Sequence, residues 1–320
     1  MPQRFSEGDI TDQHGRTVLV TGANSGLGLR TAIVLAGKGA HVLLGCRSAE
    51  RGAQALAEVR QRATGAEPRL IQLDLASLDS VRAAATQVRE FTEDTLHVLM
   101  NNAGVMAVPK GKTADGFETQ FGTNHLGHAA LTWLLMPALR KAGTAEAPAR
   151  IVTVSSLAAT RGRIDADDPN FEGRRYDPAS AYGQAKLANQ VFAMELDRRL
   201  REEGGHVISV AAHPGYTATN LSGTMAGSYQ NPLLSGALKA GAWFSDKVLA
   251  QDVRVGALPQ LYAATAPGVE GGQYFGPDGY RQFRGAPKPI RPLRPARDPE
   301  TRQRLWDITQ QLTGIVPDPK

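Results

Sequence analysis

The sequence predicts an α/β fold in which a doubly wound parallel sheet carries helices on both faces. Three observations lead there. Short apolar runs of strand length alternate with stretches of helical periodicity from Thr17 to Ala211. A glycine-rich turn joins the first strand to the first helix. Small polar residues then recur at the carboxyl end of one strand after another, the edge on which such sheets bind ligands. Strict alternation implies right-handed crossovers and one parallel sheet. No linker or internal repeat divides it, so the expectation is a single domain.

The first strand is Thr17-Val18-Leu19-Val20, β-branched and too short for a helix. It runs into Thr21-Gly22-Ala23-Asn24-Ser25-Gly26-Leu27-Gly28, and Leu29, Ile33, Val34 and Leu35 then follow a helical pattern. Glycines there let the backbone approach a pyrophosphate, and the unpaired amides of the first helical turn point at it. The spacing is G-x-x-x-G-x-G, not the dinucleotide fingerprint G-x-G-x-x-G. His41 to Cys46 reads as a second strand ending at Arg47, and Ala49 to Arg62 as a helix. Leu70 to Asp74 is the third strand, and Ser77, with Asp79 and Ser80, starts the next helix. Leu96 to Met100 is the fourth strand, closing on Asn101-Asn102-Ala103-Gly104. A long helix over Gly116 to Lys141, a strand at Arg150 to Val154, a helix over Ala179 to Glu203 and a strand at Val207 to Ala211 complete the alternation.

Three stretches stand outside it. Residues 1–16 form a polar extension without the layout of a signal peptide. Residues 217–246 carry Leu221, Met225, Tyr229, Leu233, Leu234, Trp243 and Phe244 among small residues. Long excursions of this kind are usually lids or binding loops, and this one is read as a substrate lid. Residues 276–320 form a tail in which Asp298-Pro299-Glu300 caps a helix. Leu305, Ile308 and Leu312 give that helix one apolar stripe with which to dock.

The 320 residues are 42% apolar, enough for a sizeable core. No run approaches the roughly 18 apolar residues of a membrane span. The single cysteine, Cys46, excludes a disulfide framework and fits a cytoplasmic setting. The net charge is +5 and the pI about 9.4. Much of the excess lies in Arg281, Arg284, Lys288, Arg291, Arg294 and Arg297, without the interleaved aromatics of a nucleic-acid platform, so a solvated basic face is expected. No Cys/His spacing suits a metal.

The chemistry concentrates on one rim. Tyr182-Gly183-Gln184-Ala185-Lys186 puts a phenol and an ammonium four residues apart on one helix face. A free tyrosine titrates about three units above neutrality, and a neighbouring cation favours the phenolate. Ser155-Ser156, Asn101 to Gly104 and His213-Pro214-Gly215 end strands on the same edge, with Asn124 on the intervening helix.

On these motifs the chain resembles the short-chain dehydrogenase/reductase family, over about Thr17 to Phe275. The resemblance implies a Rossmann domain over residues 17–275 and a catalytic set of Asn124, Ser156, Tyr182 and Lys186. It makes Tyr182 the general acid/base, Lys186 the group that lowers its pKa, Ser156 the holder of the substrate oxygen and Asn124 the support of a relay water. It implies cofactor contacts at Gly22, Asn24, Ser25, Gly26, Leu27, Gly28, Arg47, Ser48, Asp74, Leu75, Asn102, Ala103, Gly104, Tyr182, Lys186, Pro214, Gly215, Thr217 and Thr219. The insertion from Gly162 to Tyr176, with Ser155-Ser156-Leu157-Ala158 and Lys186-Leu187-Ala188-Asn189, is similar to the retinol dehydrogenase and WW-domain oxidoreductase branch. Gly271 to Gly276 is similar to its soluble bacterial members.

The expected activity is hydride transfer between NADP(H) and a carbonyl or alcohol of a lipophilic small molecule. Reduction of a C=C bond, as in protochlorophyllide reductases, and a non-catalytic nucleotide-binding scaffold are the alternatives. NADP(H) is expected because Gly45-Cys46-Arg47-Ser48 ends the second strand without an acidic residue. An arginine there accommodates the 2′-phosphate. The expected partner is the small substrate alone, with no nucleic acid and no membrane span; a homo-oligomer is left open.

Overall fold

The structure, a computed structural model, describes residues 5–217 and 251–319. Eight strands form one sheet in the order β3-β2-β1-β4-β5-β6-β7-β8. They span Thr17–Thr21 (β1), His41–Cys46 (β2), Arg69–Gln72 (β3), Val98–Asn101 (β4), Ala149–Val154 (β5), Val207–Ala212 (β6), Tyr274–Pro277 (β7) and Pro287–Ile290 (β8). All neighbours pair in parallel except β7 and β8. The order reverses at β1, so a crevice opens at the carboxyl ends of β1 and β4.

Side chains alternate between two cores, as a pleated strand requires. Leu19, Leu43, Ile71, Leu99 and Ile151 face the helices Leu78–Phe91 (α3), Gly127–Ala142 (α5) and Pro178–Glu203 (α6). Val18, Val20, Val42, Leu44, Val98 and Val152 face Gly26–Gly37 (α1), Ala49–Arg60 (α2) and the helix Leu258–Thr265. Burial on both faces is why these strands read as unbroken apolar runs.

Two features depart from the sequence expectation. The helix expected over Gly116 to Lys141 is a short turn at Thr119–Phe121 (α4), a π-helical turn at Gly122–Leu126 and then α5. Part of the basic tail supplies β8, an antiparallel edge strand. Pro287 and Pro289 lack amide hydrogens, which an edge strand tolerates and an interior one does not. The six basic residues of this stretch are exposed.

The tail helix, Pro299–Thr313, is capped by Asp298 and ends at the left-handed Gly314. It buries Leu305, Trp306, Thr309 and Thr313, while Ile308 and Leu312 are only partly buried. The expected stripe of Leu305, Ile308 and Leu312 thus packs against the core, and Trp306 joins it. Its indole stacks on Phe192 of α6 at 5.6 Å and meets Trp133 of α5 edge-on at 5.1 Å. Among the described residues no helix is long and apolar enough to cross a membrane.

Candidate active site

β1 delivers Thr21, whose buried hydroxyl accepts the amides of Asn102 and Ala103, each at 2.9 Å. The same oxygen lies 2.9 Å from His128 Nε2. His128 Nδ1 faces the Asn124 carbonyl at 2.9 Å, so it carries the ring hydrogen. Nε2 is then bare, and the Thr21 hydroxyl donates to it. Burial holds His128 neutral, with its pKa pushed down to about 4. One threonine thereby ties the ends of β1 and β4 to the turn that carries Asn124.

The glycine turn is tight for a steric reason. Gly22 takes φ +67°, which favours glycine. A Cβ on Gly28 would stand 2.3 Å from the Gly22 carbonyl oxygen and 2.5 Å from Asn102 Nδ2. Only hydrogen at position 28 lets α1 begin this close to the strand ends. The Ser25 side chain does not cap the helix. Asn102 donates to the Thr21 carbonyl at 2.7 Å, and its own oxygen accepts from Gln260 Nε2 at 3.2 Å.

Asn124 lies inside the π-helical turn, an irregularity that often marks functional sites. Its side chain clasps the Val105 backbone, accepting from the amide at 2.8 Å and donating to the carbonyl at 2.9 Å. A Cβ on Gly104 would lie 3.1 Å from Asn124 Oδ1 and 3.5 Å from Lys186 Nζ, so these three residues converge. Glu118 caps the turn from below, accepting from the amides of Gln120 and Phe121 at 2.9 and 2.6 Å.

α6 starts at an Asp177 cap followed by Pro178, which sets the rotation of Tyr182 and Lys186 about its axis. Lys186, 4% exposed, donates to the Val154 carbonyl at 3.0 Å and sits 6.0 Å from the Tyr182 ring centre. Ser156 is the polar neighbour that acts on the Tyr182 hydroxyl. Burial pushes the phenol up to about 12, against a smaller opposing effect of Ser156. Burial likewise draws Lys186 down to about 8. The expected lowering of the tyrosine by the lysine is therefore absent in the protein alone. Desolvation sets the direction, and the ammonium is hydrogen-bonded to the Val154 carbonyl.

The inserted residues 162–176 form a wall beside α6. Tyr176 donates to the Val108 carbonyl at 2.9 Å and Lys110 to the Phe171 carbonyl at 2.7 Å. Arg174 stacks 3.7 Å above the Phe171 ring and donates to Gln184 at 2.6 Å. Beyond β6, His213 is fixed by the Gly215 amide at 3.1 Å and by Gln282 at 2.9 Å. Thr217 donates to the Pro214 carbonyl at 3.0 Å. Thr219 and almost all of the expected lid lie outside the described residues.

Arg47 is exposed at the end of β2, and Ser48 caps α2 by accepting the Arg51 amide at 3.3 Å. Asp74 accepts the Ala76 amide at 3.0 Å. Leu75 is buried, and its carbonyl packs where a Cβ on Gly127 would come within 2.4 Å. Its side chain therefore serves packing, leaving only backbone for a ligand.

A family model described as short chain dehydrogenase matches residues 16–229. The chain belongs to the short-chain dehydrogenase family. It is 40% identical to retinol dehydrogenase 13 of Homo sapiens over 303 residues, covering 94% of this chain and 85% of that protein. Polyprenol dehydrogenase of Mus musculus is 37% identical over 308 residues, 95% of this chain and 86% of that one. An uncharacterised Mycobacterium paratuberculosis protein of known structure is 39% identical, with a TM-score of 0.77 over 98% of both chains.

Short-chain dehydrogenases are oxidoreductases that bind a nicotinamide cofactor, and the residues present fit one. A helix start without a side-chain cap, behind a turn of glycines, leaves main-chain donors for phosphate. Sequence reasoning missed Gln260 and His128 as parts of the site's framework. A lone Gln or His on a helix carries no spacing signal that would single it out.

Proposed function

We propose that the protein is an NADP(H)-dependent oxidoreductase that interconverts an alcohol and its carbonyl on a lipophilic small molecule in the cytoplasm. The observation that carries this reading is the hydroxyl pair of Tyr182 and Ser156 beside the buried Lys186 ammonium. NADP(H) would lie against the turn Gly22 to Gly28, Asn102 to Gly104 and Lys186, with its 2′-phosphate near Arg47 and Ser48. When bound it supplies or accepts the hydride.

The chain's own part is to handle the proton and the oxygen. With its pKa near 12, Tyr182 is fully protonated at neutral pH and is loaded to donate to a carbonyl oxygen during reduction. Ser156 acts on the same hydroxyl and orients the substrate oxygen against it. Lys186, charged below about pH 8, stabilises the phenolate left behind. Asn124 braces the β4 loop opposite these groups. A lipophilic substrate is supported by the apolar residues of 217–246 and by the retinol and polyprenol in the relatives' names.

Tyr182→Phe tests the reading, because it removes only the hydroxyl. With NADPH and long-chain aldehydes or retinal, kcat should fall by about 10²–10⁴, the usual worth of a general acid. Folding and cofactor affinity should persist. A kcat within a fewfold of the parent would reject the mechanism.

A further inference from the structure

The tail helix reaches the candidate site through a chain of buried polar contacts. Thr309 is fully buried, and its hydroxyl lies 2.8 Å from His125 Nε2. The same hydroxyl donates to the Leu305 carbonyl at 2.6 Å. His125 follows Asn124 in the π-helical turn, is 1% exposed, and is flanked by Phe121 and Phe192 at 5.1 and 5.8 Å. On its other side the Asn189 side chain acts on the ring as a polar neighbour. Asn189 Nδ2 donates to the Val154 carbonyl at 3.2 Å. Lys186 donates to that same Val154 carbonyl at 3.0 Å.

The amide nitrogen of Asn189 carries two hydrogens, so the residue can serve Val154 and face the imidazole at once. The Thr309 oxygen is the polar partner of His125 Nε2, so removing the hydroxyl strips that buried ring nitrogen of its contact. Burial keeps the ring neutral, its pKa drawn down to about 3, so this arrangement holds across the working pH range.

We propose that Thr309 is a positioning residue for Lys186, acting through His125, Asn189 and the Val154 carbonyl, so that the docked tail helix is part of the active-site framework. The proposal rests on the reading of Lys186 as the partner of Tyr182. Tyr182 on its own helix and His128 on α5 are the titratable groups recorded around Lys186. The fold alone does not need the Thr309 hydroxyl, since Trp306 and Leu305 provide the apolar docking.

Thr309→Val keeps the shape and removes the hydroxyl, and Thr309→Ser restores it. The full-length enzyme is assayed for NADPH-dependent aldehyde reduction across about pH 6 to 10. Thr309→Val should lose roughly 2- to 30-fold in kcat, the range found for residues coupled to a site without touching it. Its alkaline midpoint should move upward, because a slackened site admits water and relieves the desolvation of Lys186. Thr309→Ser should return both to the parent values. If Thr309→Val does not fold, Thr309→Ala removes the same oxygen without adding a methyl group and is read in the same way. A parental profile in a folded Thr309→Val or Thr309→Ala variant overturns the proposal. So does a loss of kcat with an unmoved midpoint. Tyr182→Phe, run in parallel, separates the two ideas. If it stays active, the catalytic reading fails; if it is inactive while Thr309→Val is normal, only the role of Thr309 fails.

Discussion

Raising the pH from about 7 to about 9 should slow carbonyl reduction about tenfold, and Lys186 should be the cause. Its ammonium is 4% exposed and donates to the Val154 carbonyl. Burial disfavours the charged form and draws its pKa to about 8. One unit below that value about 90% of the lysine is charged, and one unit above it only about 10%. Tyr182, His128 and His213 lie outside this window. Tyr182 stays protonated to about pH 12, while His128 and His213 lose their protons near pH 4. The assay is kcat/KM for NADPH-dependent reduction of a long-chain aldehyde, which reports groups of the free enzyme. In the oxidative direction the phenol must lose its proton while Lys186 keeps its own, so that rate should climb to about pH 8 and level off above it. A reductive profile flat beyond about pH 9.5, or an unchanged alkaline limb in Lys186→Met, would refute this account.

The pH behaviour was not legible in the sequence, although the residues behind it were. The spacing of Tyr182 and Lys186 is visible in the chain, but the sign of the tyrosine shift depends on how much water the fold excludes. β1, β2, β4, β5 and β6 were legible because a sheet buried on both faces leaves unbroken apolar runs. β8 was hidden because Pro287 and Pro289 argue against a strand unless it is known to lie at an edge. The π-helical turn was hidden because one extra residue barely disturbs a helical apolar pattern over so long a segment. Trp306 was missed beside the Leu305, Ile308 and Leu312 stripe because it lies outside that spacing. What draws it in is the pair of rings, Phe192 and Trp133, supplied by distant helices. Gln260 is a similar case: it touches Thr31 at 2.6 Å and Asn102 at 3.2 Å, contacts that no local pattern encodes.

Two further predictions test the cofactor site and the docked tail. Arg47→Asp should turn a preference for NADPH of at least about tenfold into one for NADH, since charged hydrogen bonds are worth roughly 1.5–3 kcal/mol each. Dissociation constants of both cofactors would measure it, and an unchanged ratio would dismiss Arg47 as the phosphate reader. The other concerns Glu195, which is 2% exposed on α6 and accepts from Arg198 at 2.6 Å and Arg199 at 2.7 Å. Arg302 of the tail helix approaches it at 3.7 Å. Burial raises its pKa, but the arginines together more than reverse this, leaving it below the ordinary value of 4.5. A carboxyl lowered by folding stabilises the protein above its unfolded pKa, and that contribution fades as pH falls through the folded value. Glu195→Gln should therefore cost on the order of 2 kcal/mol at neutral pH, the worth of a charged hydrogen bond, and progressively less below about pH 4. Urea unfolding of both proteins at about pH 7 and about pH 3.5 gives the comparison. An equal loss at the two pH values would mean that the carboxyl's shape, not its charge, holds the tail helix to α6.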